Sequence, residues 1–110
     1  MSFPAFFAEV PSIILRDRLA DFLGAAAGGL IEYGYADAVR LAGHSCPTVA
    51  GCYLLSHRAL RALYGDEPPL RGEIAVDFRE AADAGVSGVM AAVVGLLTGA
   101  AGAGGFKGLA

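Results

Sequence analysis

The chain has 110 residues and a formal charge of −3, which is one domain with room for a modest core. Its eight basic residues are scattered and not interleaved with aromatics, which excludes a nucleic-acid-binding stripe. With 55% hydrophobic and 17% charged residues, so small a chain is expected to cover apolar surface against a copy of itself, as a homo-oligomer.

Met1-Ser2-Phe3-Pro4 lacks the basic start and apolar core of a secretory signal. Pro11-Ser12 then predicts the opening of a helix that runs to about Leu23 and stops at Gly24. Leu15, Leu19, Phe22 and Leu23 form its apolar stripe, with Arg16, Asp17, Ala20 and Asp21 facing away. Gly28-Gly29 reads as a connection. From Leu30 to Tyr35 the pattern alternates, with Ile31, Tyr33 and Tyr35 on one side, and predicts a strand on which the two tyrosines pack.

A short helix is expected over Ala36–Ala42, with Asp37 as its N-cap and Gly43 as its end. Pro47 suits the first position of the next helix, where its missing N–H is not needed. That helix should reach Tyr64. Its first half is apolar all round, which predicts a buried element or an interface. Turn residues fill Gly65 to Pro69. Glu73 to Arg79 alternates and predicts a second strand, and Val86–Leu97 predicts a last helix ended near Gly99.

Ala84 to Phe106 carries no charge, yet its seven glycines and lack of flanking aromatic or basic belts argue against a membrane span. The glycine-rich run Gly99 to Gly105 before Lys107 fails the P-loop pattern, because Gly108 follows the lysine. It is read as a loop, with an active-site flap as the sharper alternative. The ending Gly104-Gly105-Phe106-Lys107-Gly108-Leu109-Ala110 reads as that of a chain cut short. The expected architecture is one α+β domain, a small mixed sheet packed with helices.

The chain has two cysteines, and on one helix Cys46 and Cys52 would be about 9 Å apart, beyond disulfide reach. Two free thiols point to a reducing compartment, the cytoplasm. Cys52 reads as core, and His57 as a boundary or core histidine.

The chemistry gathers at Gly43-His44-Ser45-Cys46-Pro47. A neutral imidazole and a thiolate two residues apart in a loop can converge on one ion, with zinc first and iron, including haem iron, second. The helix start behind them should lower the thiol pKa of Cys46, which favours metal binding and nucleophilic chemistry alike. The same pair therefore admits a thiol enzyme with Cys46 as nucleophile and His44 as base. A structural turn with an inert cysteine is the plainer alternative.

The block Gly43-His44-Ser45-Cys46-Pro47-Thr48-Val49-Ala50 resembles the glycine-His-x-Cys-Pro signature of the FmdE-like family, named for a component of formylmethanofuran dehydrogenase. Asp17-Arg18-Leu19-Ala20, Phe22-Leu23-Gly24, Tyr33 to Asp37, and Leu97-Thr98-Gly99 with Gly105-Phe106-Lys107-Gly108 extend the likeness. The resemblance implies a metal-binding α+β domain, similar in fold to the second domain of glyceraldehyde-3-phosphate dehydrogenase and commonly dimeric, with His44 and Cys46 as metal ligands. Gly85 and Ala100 stand where many members carry further cysteines, so matched positions supply two ligands and not four.

The function expected is a metal-binding protein, open to being a metal-dependent enzyme of unnamed substrate. At an open site the ion would act as a Lewis acid or activate a water, and Ser45, Thr48 and Lys107 are the candidate contacts to a ligand or substrate. The alternative is a non-enzymatic accessory or metal-handling module that docks to a redox enzyme, motivated by the apolar first half of the Pro47–Tyr64 helix.

Overall fold

A computed structural model of the chain describes residues 2–78 and 87–100. Strand β1 spans Ile13–Arg16 and the five-residue helix α1 spans Arg18–Phe22. The helix expected over residues 11–23 is thus a strand and a single turn. Ile13 and Leu15 point into the core while Ile14 points out, the period of two that a half-buried strand requires. Asp17 then breaks the run. Its carboxylate accepts from the N–H groups of Leu19 at 3.0 Å and Ala20 at 3.1 Å, capping α1. Phe22 and Leu23, assigned to the buried stripe, are instead 77% and 67% exposed.

Strand β2, Leu30–Tyr33, pairs antiparallel with β1 in a register running from Ile13 opposite Tyr33 to Arg16 opposite Leu30. On the other side of β1, the Arg16 N–H donates to the Pro69 carbonyl and the Arg71 N–H donates to the Arg16 carbonyl, each at 2.8 Å. This isolated parallel bridge at Leu70 is where a third strand would start. None follows among the described residues. The strand expected over Glu73–Arg79 has no ladder partner among the described residues from 73 to 78, so its alternation joins no sheet; Arg79 lies outside the described residues.

Helix α2 spans Tyr35–Ala42, α3 spans Pro47–Tyr64 and α4 spans Ser87–Thr98. Gly43 ends α2 in the left-handed conformation with φ of 81°, as a residue without a Cβ does readily. Gly34, not Asp37, is the N-cap of α2. Asp37 sits three residues in, where its carboxylate accepts from the Gly34 N–H at 2.8 Å and from Arg40 at 3.1 Å. Pro47 occupies the first turn of α3 as expected.

Helix α4 packs on α3 and α2, which also meet each other, so three helices and the two-stranded sheet share one core. Leu15, Val49, Tyr53, Val93 and Leu97 are its largest fully buried members. The fold is α+β. Phe7, from a 3-10 turn over Ala5–Glu9, extends the core through Tyr35 to Tyr53, with ring centroids 4.9 and 5.6 Å apart. The Tyr53 hydroxyl donates to the Pro11 carbonyl at 2.6 Å and contacts the Tyr33 carbonyl at 3.3 Å, fastening α3 to β2 and to the segment that leads into β1.

Arg71 closes the other end. Its guanidinium donates twice to the Leu96 carbonyl, at 2.9 and 3.1 Å, pairs with Asp17 at 3.3 Å and lies over the Tyr33 ring. A cation is favourable at the end of α4, where carbonyls are left unpaired. Beside it the Gly72 N–H donates to the Thr98 carbonyl at 2.8 Å.

Candidate functional site

The turn between α2 and α3 is short because α2 stops and α3 starts sharply. Gly43 turns the chain out of α2, and Cys46, in extended conformation as the N-cap residue, leads it into α3. Between them His44 and Ser45 are exposed, while Cys46 is half-buried and carries a free thiol.

His44 is held by its ring. Nδ1 lies 3.1 Å from the Ala42 carbonyl oxygen. A carbonyl can only accept, so Nδ1 carries the proton and a neutral ring keeps the lone pair on Nε2. The Cys46 thiol faces the opening of α3, and the Val49 N–H is the largest influence holding its pKa below the ordinary thiol value. Partial burial opposes that shift, and the His44 ring and the Thr48 N–H act with it. No formed cap hydrogen bond runs from the Cys46 side chain, so the effect is one of facing dipoles and not of a closed bond. His44 and Cys46 are therefore neighbours across the turn, and Thr48, half-buried in the first turn of α3, takes part through its backbone.

Ser45 reaches the other way. Its Oγ lies 2.7 Å from the hydroxyl of Tyr35, whose ring is buried between Phe7 and Tyr53. Alternation alone makes Tyr35 a packing residue at the end of a strand; it is the first residue of α2, and its hydroxyl surfaces at the turn. Ten residues separate the partners, and no local pattern joins them.

The chain matches no family model, no curated protein and no solved structure.

Beside His44 opens a cleft of about 280 Å³ between α2 and α4, lined by Leu41, Ala42, Gly88, Val89, Ala92 and Val93. Its walls are apolar, and among the described residues His44 alone of the lining side chains can coordinate or hydrogen-bond. The other sulfur takes no part: Cys52 is buried in the core, and burial pushes its thiol pKa up. His57 is half-buried and lines a separate cleft with Ser12, Arg61 and Glu67. Lys107 and the expected flap from residue 101 onward lie outside the described residues.

Among the described residues no three His, Cys, Asp or Glu side chains gather as a metal-binding group. What the turn presents is a pair: a nitrogen donor with its lone pair set by a backbone contact, and a sulfur whose anion is favoured by the helix behind it. Both are ligand types that suit zinc, and thiolate and imidazole also suit iron. No helix among the described residues is long and apolar enough to cross a membrane.

Proposed function

We propose that this protein binds a metal ion through Nε2 of His44 and Sγ of Cys46. Zinc is the first choice, with iron, including haem iron, the second. One observation carries this reading: the contact of His44 Nδ1 with the Ala42 carbonyl, 3.1 Å long, leaves Nε2 as the free donor. Histidines that ligate metals are characteristically oriented by such a contact at the second nitrogen, which fixes the tautomer and makes the ligand more basic. The thiol beside it, with its pKa lowered by the α3 N-terminus and by His44, supplies the anionic partner.

The resemblance of Gly43 to Ala50 to the FmdE-like signature supports the same two ligands, and with them a cytoplasmic homodimer. An ion held here would supply Lewis acidity at the mouth of the apolar cleft. The residues of this chain would orient what enters: Leu41, Val89 and Val93 by excluding water, and Ser45, tethered to Tyr35, by its hydroxyl.

Elemental analysis of the purified protein with its absorption spectrum is the test, because zinc, iron and haem separate at once. Stoichiometric metal is expected in the wild type and its loss in the His44→Ala, Cys46→Ala double variant. Metal retained in that variant refutes the assignment.

A second reading, an accessory module that hands metal to a redox enzyme, draws on the outer face of α3. There Leu54, Leu55 and Leu63 are 46%, 59% and 69% exposed, apolar side chains that a partner could cover. It predicts metal that exchanges within seconds with a chelator and no turnover on small molecules. Slow exchange combined with turnover counts against it.

A further inference from the structure

We infer that the cleft between β1, the second half of α3 and the loop over residues 65–69 binds the amino-terminal end of a short, extended peptide. Among the described residues it shares none of its lining with the cleft beside His44, and the inference does not depend on a metal at that turn.

The first observation is the outer edge of β1. The Arg16 N–H donates to the Pro69 carbonyl and the Arg71 N–H donates to the Arg16 carbonyl, so both Arg16 groups face away from β2. Two residues back along a strand, the same edge carries the N–H and carbonyl of Ile14. A parallel ladder running on from Leu70 would next bring the N–H of residue 69 onto the Ile14 carbonyl. Residue 69 is a proline and has no N–H, and the bridge at Leu70 stands isolated. The pairing with this loop thus ends at Arg16, with the Ile14 groups turned towards it.

The second is the cleft itself, about 270 Å³ in volume, which Ile13 and Ile14 both line. Their side chains point to opposite faces, Ile13 into the core and Ile14 outward, so a cleft that touches both meets the strand at its backbone edge. Leu60, Pro68 and Pro69 give it apolar walls. An extended peptide laid here offers a carbonyl to the Ile14 N–H and an N–H to the Ile14 carbonyl, the pairing by which a strand is added to a sheet edge. Ligand sites commonly measure about 300–1,000 Å³. A cleft just below that range takes a chain end and not a long strand.

The third is charge, which selects the end. Arg61 and Asp66, both in the lining, pair with each other at 3.4 Å. Glu67 adds a second carboxylate to the lining. Gly65, also in the lining, follows directly on the last turn of α3, where the helix dipole is negative. That combination attracts an ammonium group and repels a carboxylate. The ligand is therefore the amino end of a peptide, its ammonium donating to Glu67 and its first amide paired with Ile14.

Titration of the isotope-labelled full chain with valyl-leucinamide, followed by amide NMR, tests this. Saturable shifts are expected at Ile14 and at residues 65–67. N-acetyl-valyl-leucinamide, which lacks the ammonium, should bind about 10-fold more weakly, the usual effect of losing one hydrogen bond to a charged group. Glu67→Gln should weaken the free-amine peptide by a similar factor, leave the acetylated one unchanged and keep the melting temperature. A decapeptide with the same first two residues should bind no tighter. No saturable shift at millimolar peptide overturns the site. Equal binding of the acetylated peptide, or tighter binding of N-acetyl-valyl-leucine with its free carboxylate, overturns the amine assignment. A decapeptide that binds far more tightly overturns the small-ligand assignment in favour of a protein-docking edge.

Discussion

The phenol oxygen of Tyr35 stands 2.7 Å from Oγ of Ser45, so a ring buried in the core holds the exposed turn that carries His44 and Cys46. The turn is thereby fastened at three points: Gly43 at the end of α2, Pro47 at the start of α3, and the Tyr35 hydroxyl beneath it. Rigid support of this kind lets two donors keep a fixed separation without a metal to hold them.

Tyr35→Phe keeps the ring and its packing and removes only that tether. Stability should fall by about 0.5–1.5 kcal/mol, the usual worth of one hydrogen bond. If His44 and Cys46 hold a metal as proposed, its affinity should fall by about 10-fold, the size of effect seen when the support around a metal ligand is removed. Denaturant titration and a competitive chelator assay measure the two. Unchanged affinity would mean that the tether does not position the donors.

The two thiols should separate by reactivity. Cys46, lowered by the Val49 N–H and then by His44, should alkylate at a pH below that at which a free thiol reacts. Cys52, raised by burial, should be modified only on unfolding. His44→Ala should move the Cys46 profile upward part of the way, because the larger influence remains. Mass-resolved alkylation across pH gives both curves, and coincident curves for the two thiols would contradict this account.

Tyr53 predicts a loss of stability in alkali. Burial, with the nearby charges of Asp37 and Glu32, pushes its pKa up to about 12. The unfolded phenol titrates near pH 10. Between those values the folded state holds the proton and the unfolded state has released it. The contribution is therefore complete below about pH 10 and lost as pH rises towards about 12. Allowing for solvent screening at a part-buried hydroxyl, it amounts to roughly 1–2 kcal/mol. Thermal melts at pH 9 to 12 should show the fall, and Tyr53→Phe should flatten it while costing about 1 kcal/mol at neutral pH for the bond to Pro11.

Gly99 follows α4 with φ of +74°, and a Cβ there would lie 2.7 Å from the Gly72 nitrogen. Gly99→Ala combines backbone strain with a collision against main chain that cannot swing aside. A loss of about 1–3 kcal/mol is expected, read by denaturation. The site turn should be unaffected, so metal stoichiometry should stay at the wild-type value.

Elements with local signals were legible in the sequence. Pro47 and Gly65 bracket α3, and Gly43 marks the end of α2. The alternation from Leu30 marks β2, although Tyr35 at its expected end begins α2. Each signal acts within a few residues through a missing N–H, a permitted positive φ or a period of two. The turn from Gly43 to Pro47 was legible for the same reason, with Gly43 closing α2 and Pro47 opening α3.

Long-range pairing decided the rest. Around Leu15 a helical stripe and a strand alternation both fit the letters. Pairing with β2 on one edge, and hydrogen bonds to Pro69 and Arg71 on the other, made it a strand. Residues 73–78 carry an equally good alternation and join no ladder among the described residues. The hydroxyl of Tyr35 beneath Ser45, and the cleft beside His44, exist only once α2, α3 and α4 have packed. Backbone preference is a property of neighbours in the chain, whereas a ladder or a cleft is a property of segments that the chain brings together.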